Sequence, residues 1–177
     1  MTALQSHSEP EVAPTEDSLN LGAVQIVDVV SGVVHELDEL GQRVHIVMER
    51  APTVLADSEK LAEVTTSLLR SALESAPASS PIEVEVAARC LAQSHEGSGG
   101  GPQECQALVS VAIRDHGAHA ERTTRTATPV LTAGAHVEAK LRSAYDIVRL
   151  HKGRLWITTR PEHGRTLGFC LNSPQAA

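Results

Sequence analysis

Between Leu61 and Leu73 the apolar residues fall at Leu61, Val64, Leu68, Leu69, Ala72 and Leu73. That spacing puts them on one face of an α-helix. Asp57 is a suitable N-cap, Glu59 sits in the first turn, and Pro77 stands just past the end. The pattern predicts a helix over 57–77. Its other side carries small polar residues and one cation: Thr66, Ser67, Arg70, Ser71 and Ser75. A second periodic stretch runs from Val24 to Leu40, with Ile26, Val27, Val30, Val33, Val34, Leu37 and Leu40 every three or four residues. Its valines lower helix propensity, so tertiary packing must hold it. Gly41 is placed to end it. A third runs from Val137 to His151, with Val137, Leu141, Ala144, Ile147, Val148 and Leu150 as its apolar set and Gly153 as the expected C-cap.

Elsewhere the period is two. Residues 43–49 alternate, with Val44, Ile46 and Met48 on one side, and predict a strand. Thr53–Ala56 is a short extended piece. Residues 81–92 alternate Ile82, Val84, Val86 against Glu83 and Glu85, and residues 107–114 form the next strand. A Gly-rich connector over 94–104 joins the two; it has no Lys-Ser or Lys-Thr after it and is not a phosphate-binding loop. Residues 115–136 have no period and read as a mobile loop. Strands over 154–159 and 166–171 close the chain. The order α-β-α-β-β-loop-α-β-β predicts an α+β fold, a two-layer sandwich with helices on one face of a mixed sheet.

Composition narrows the function classes. The chain has 177 residues, which suits one domain, and 2% aromatic content, so the core must be aliphatic. Stacking platforms for single-stranded nucleic acid are nearly absent. Residues 1–20 hold Glu9, Glu11, Glu16 and Asp17 and no Lys or Arg, so this stretch carries over half of the net charge of −7. It reads as a disordered acidic tail. The folded domain is expected over 21–173, with a short tail at 174–177. No basic patch points to nucleic acid and no 18-residue apolar run to a membrane. Cys90, Cys105 and Cys170 are odd in number and widely spaced, and no secretory signal is seen. A reduced, cytoplasmic protein is expected, with buried thiols and no zinc site.

Three stretches, in order, carry a resemblance: P-T-V-L-A-D-S-E-K-L from Pro52, V-A-I-R-D-H-G-A-H from Val111, and I-V-R-L-H-K-G-R-L-W-I from Ile147 followed by G-R-T-L-G-F-C-L from Gly164. They resemble the ATP-binding domain of sensor histidine kinases, the Bergerat or GHKL fold, over roughly residues 24–171. The last stretch is similar to the family's L-H-G-G turn and its closing G-x-G-T-x-F strand.

The resemblance implies ATP and Mg²⁺ as ligands, and the residues depart from what those ligands need. Ser67 and Ser71 occupy the positions of two asparagines one helical turn apart, whose carboxamides hold Mg²⁺ against phosphate in the family. A neutral serine hydroxyl is a poorer magnesium ligand. Glu74 and Ser75 stand where the family has a basic and aromatic pair. Asp115 matches the aspartate that accepts from the adenine amino group, and Gly117 the glycine beside the base. His119 replaces the next glycine of that box. Glu138-Ala139-Lys140-Leu141 replaces the G-x-G-L box, so the bare backbone N–H groups that cradle phosphate are not expected. Read as residues alone, Asp115 is equally a turn residue at a strand end, and Ser67 and Ser71 are small solvent-facing positions.

His35-Glu36-Leu37 is similar to the family's phosphoacceptor box, but a single helix precedes the first strand, and His35 reads as an ordinary helix histidine. Asp115, His116 and His119 lie close in sequence without a recognised metal spacing. The expectation is therefore a stand-alone, degenerate histidine-kinase-like ATPase module in signal transduction. Its expected partner is a response regulator, a separate phosphoacceptor protein, or a sigma or anti-sigma factor. The alternative is an active ATP-dependent protein kinase of the same fold.

Overall fold

Asp57 starts the longest helix as the pattern predicts. Its Oδ1 accepts from the Lys60 N–H at 3.1 Å, and α2 runs Ser58–Ser75 behind it. The computed structural model describes residues 19–38, 43–48, 53–92, 105–116, 130–131, 139–160 and 164–173. The other elements are β1 Gly22–Gln25, α1 Ile26–Leu37, β2 Val44–Met48, β3 Thr53–Ala56, β4 Ile82–Ala92, β5 Cys105–Asp115, β6 Val130–Leu131, α3 Arg142–Leu150, β7 Arg154–Arg160 and β8 Gly164–Asn172. A 3-10 turn over Ala139–Leu141 leads into α3.

Six strands form one sheet in the order β2-β4-β5-β8-β7-β6. β2 and β4 are parallel and the other neighbours antiparallel, so the sheet is mixed. β1 and β3 pair separately as a two-stranded ribbon. α2 packs against α1 on one side and α3 on the other. The α+β two-layer sandwich is the fold observed. Alternation decides which face of the sheet is covered: Ile82, Val84 and Val86 on β4, Val109, Val111 and Ile113 on β5, and Leu167, Phe169 and Leu171 on β8 are all buried. They meet Leu61, Val64, Leu68, Leu69 and Ala72 of α2 in one aliphatic core. Phe169 is the one aromatic residue in the buried set.

Four expectations change. Val24 and Gln25 belong to a strand, not to the first helix, because the β1 backbone pairs with β3 from Gly22–Ala56 to Gln25–Thr53. Asp115 closes β5 instead of opening a loop, and Val130–Leu131 add a short strand against Ile157 and Trp156. Leu150 is exposed and so leaves the apolar face of α3. At the end of α3 the left-handed residue is Lys152, at φ 56°, not Gly153. Its N–H reaches the Arg149 carbonyl and that of Gly153 reaches Val148. Gly153 is needed for room instead, since a Cβ there would strike the Cys170 carbonyl and Leu171. Residues 1–18 of the expected tail over 1–20, the tail at 174–177, the Gly41 cap, the connector over 94–104, Val137, Gly117, His119 and Glu138 lie outside the described residues. So do the side chains of Cys90 and Cys105. Cys170 is a free thiol and only half-buried; desolvation raises its pKa. Among the described residues no helix is long and apolar enough to cross a membrane.

Candidate nucleotide-binding site

Asp115 continues the inward row of β5, on the helix-bearing side of the sheet, and is 1% exposed. Two residues of β8 hold it. The Arg165 N–H donates to Oδ1 at 3.1 Å. Gly164, at φ 80°, packs directly on the Asp115 carbonyl, and a Cβ there would also lie 2.6 Å from Oδ1. The carboxylate is therefore placed by a neighbouring strand before any ligand arrives. A buried carboxylate so oriented can accept from an amino group. His116 beside it is exposed, and among the described residues no group of His, Cys, Asp and Glu is arranged to hold a metal ion.

Ser67 and Ser71 lie one turn apart on α2, as their spacing requires. Ser67 is half-buried, and its hydroxyl donates to the Glu63 carbonyl at 2.9 Å. Ser71 is 7% exposed, which corrects its reading as a solvent-facing position. Its carbonyl accepts from the Ser75 hydroxyl at 2.6 Å. Hydroxyls that bond back to the preceding turn are spent within the helix.

The acidic residues on this side of α2 reach across to the start of α3. Lys140 Nζ donates to Glu74 at 2.7 Å. Ser143 Oγ donates to Glu63 at 2.8 Å. The Lys140 hydrogen bond and charge, with a smaller contribution from Arg70, hold the Glu74 carboxyl below its ordinary value. These bridges join the helix that carries Ser67 and Ser71 to the 3-10 turn and the first turn of α3. Lys140 meets a protein carboxylate there, in a place where the resemblance puts phosphate.

One junction escapes the sequence reading. Nε2 of His151 accepts from the Asp57 N–H at 3.0 Å, and Nδ1 lies 2.9 Å from the Ile147 carbonyl. With Nε2 accepting, Nδ1 is the nitrogen placed to donate, toward the Ile147 carbonyl. Asp57 Oδ2 also accepts from the Asn20 N–H at 2.9 Å. The N-terminus of α2, the C-terminus of α3 and the strand before α1 are tied together here. Backbone N–H bonds from Lys60 and Asn20, and from Glu59, lower the Asp57 pKa, against desolvation. Asp57→Ala should lose about 1–2 kcal/mol of stability at neutral pH. A folded pKa below the unfolded one means this contribution is present above the ordinary value of 3.8 and is lost as pH falls through the folded value. Urea unfolding at pH 7 and pH 3 should show the wild-type advantage shrinking in acid; an equal advantage at both would refute the assignment. The histidine's role had only a faint signal in the chain, its i+4 spacing from Ile147. The pairs Glu63–Ser143 and Glu74–Lys140, and the Arg165 bond to Asp115, had none, because their partners are 50 or more residues apart.

No family sequence model matches the chain, and no curated protein does. Solved structures do. The cytoplasmic segment of histidine kinase QseC matches with a TM-score of 0.59 and 11% identity, over 90% of this chain and 83% of that one. The nucleotide-free catalytic domain of histidine kinase ThkA matches with a TM-score of 0.60 and 14% identity, over 87% and 97%. The ATP-binding domain of PrrB from Mycobacterium tuberculosis matches with a TM-score of 0.58 and 15% identity, over 88% and 99%. The chain has the histidine-kinase ATP-binding fold. At these identities the likeness is one of architecture, and the histidine-kinase-like fold leaves the fate of its site to the residues.

Proposed function

We propose that this chain is a signalling module in which the histidine-kinase-like fold is retained while Mg²⁺-ATP binding is weak or absent, and that contacts with a protein partner carry its function. The observation behind this is the pair of bridges from Glu74 to Lys140 and from Glu63 to Ser143. They match two carboxylates of α2 to a cation and a hydroxyl of the same chain, so Lys140 and Ser143 already have partners there. Ser67 and Ser71 add neutral hydroxyls where a magnesium shelf needs stronger oxygen donors. Asp115, Gly117, Ser67 and Ser71 are the residues that would meet a nucleotide if one bound. A response regulator, a phosphoacceptor protein or a sigma or anti-sigma factor fits the partner role, in the cytoplasm.

Titration of a fluorescent ATP analogue with and without Mg²⁺ tests this. The expected result is no saturation below about 1 mM, equivalent to about −4 kcal/mol. Micromolar, Mg²⁺-dependent affinity abolished by Asp115→Asn would overturn it. The buried, pre-placed Asp115 supports a second reading, an active ATP-dependent kinase of this fold. Transfer of labelled phosphate from ATP to the chain or to a partner protein would favour that reading.

A further inference from the structure

The face of the sheet away from the helices holds a cavity of about 310 Å³. It runs along the outward row of β5, Leu108, Ser110, Ala112 and Arg114, and is bounded by Glu85 on β4, Thr166 and Cys170 on β8 and Trp156 on β7. The outward row spans about 20 Å. Small residues make the hollow. Ala112 pairs with Gly168 across β5 and β8, and Gly168 pairs with Trp156 across β8 and β7. A Cβ on Gly168 would lie 2.5 Å from the Trp156 ring. The indole therefore rests on the glycine, and the ring forms one wall of the cavity. The face is separate from the nucleotide site, since Asp115 belongs to the inward row of the same strand.

The charge pattern selects the occupant. The two ionised groups in the wall answer each other: Arg114 donates to Glu85, and to Glu83 at 2.7 Å. The Ser110 hydroxyl lies 3.4 Å from the Ala87 carbonyl. What remains is apolar surface, one indole, the Cys170 thiol and the Thr166 hydroxyl. Pockets that bind small molecules start near this volume and share this lining of apolar and aromatic groups with few polar ones. A flat ring stacked on Trp156 gains both area and favourable ring geometry. An ionised ligand would lose its hydration and find Arg114 already paired with Glu85 and Glu83.

We propose that this outer-face cavity binds a small, uncharged, planar aromatic molecule, about one bicyclic ring system in size, stacked on Trp156. The chain has one tryptophan, so its indole N–H signal in NMR reports on the site directly. The probes are 2-naphthol, the anion 2-naphthalenesulfonate, and the aliphatic alcohol 1-octanol, each added to the full chain. The expected result is a saturable shift of the Trp156 signal by 2-naphthol alone, with a Kd under about 1 mM. Ala112→Leu fills the floor and Cys170→Leu fills one end. Each should weaken 2-naphthol at least about tenfold, or 1.4 kcal/mol. Two variants at different points keep the test open if one fails to fold. Equal shifts from all three probes would mean a merely greasy surface and overturn the proposal. So would a Trp156 signal that follows protein concentration and not 2-naphthol, which would assign the face to contact between copies.

Discussion

Phe169→Ala is expected to lower the free energy of unfolding by about 3–5 kcal/mol. Phe169 is fully buried on β8, between Val111 of β5 and Leu155 of β7. It is the chain's one phenylalanine, and the core around it is Val, Leu, Ile and Ala. Its neighbours are held in a sheet and a helix layer, so most of the void should persist and its lining lose dispersion contacts. Domains of this size have about 5–15 kcal/mol to lose. The variant should therefore unfold at much lower urea with an unchanged slope. A loss under about 1.5 kcal/mol would mean that the helix layer settles onto the sheet and the packing is looser than the burial indicates.

Gly164→Ala is expected to cost at least about 2 kcal/mol. The left-handed backbone alone costs an L-residue about 1–2 kcal/mol, and here the new Cβ would also collide with the Asp115 carbonyl. That carbonyl belongs to a paired strand and cannot step aside, so overpacking adds a further penalty of about 1–3 kcal/mol. The same change should loosen the bond from the Arg165 N–H to Asp115 Oδ1. Amide hydrogen exchange at Arg165 should therefore accelerate more than exchange at the amides of α2. If stability falls and Arg165 stays protected, Gly164 serves the turn alone and the placement of Asp115 has another cause.

Both variants bear on how the fold relates to its candidate site. Phe169 lies on the side of the sheet that meets the helices, and its loss acts on the scaffold. Gly164 touches the buried Asp115, and its loss acts on placement. The bridges from α2 to the start of α3 stand apart from both. Lys140 and Glu74 are largely exposed, with side chains 70% and 59% accessible, and exposed pairs of this kind contribute about 0–1 kcal/mol.

Local pattern determined a good deal here. The period of 3.6 between Leu61 and Leu73 and the cap at Asp57 were enough for α2, because a helix is built from bonds within its own stretch. Alternation was enough for β2 and β4, because side chains leave a strand to opposite faces. The identities of Ser67, Ser71, Glu74 and Lys140 were legible too, since they need no partner to be read. What only the tertiary structure decided depends on partners distant in the chain. Gln25 became strand because Thr53 lay opposite to pair with it. Lys152 took the left-handed position because Gly153 was required against Cys170. Asp115 acquired its orientation from Gly164 and Arg165, and Glu63 and Glu74 acquired partners from the far end of the chain. Hydrogen bonds and close approaches across 50 to 94 residues leave no periodic trace, because no local repeat encodes which strand will come to rest beside which.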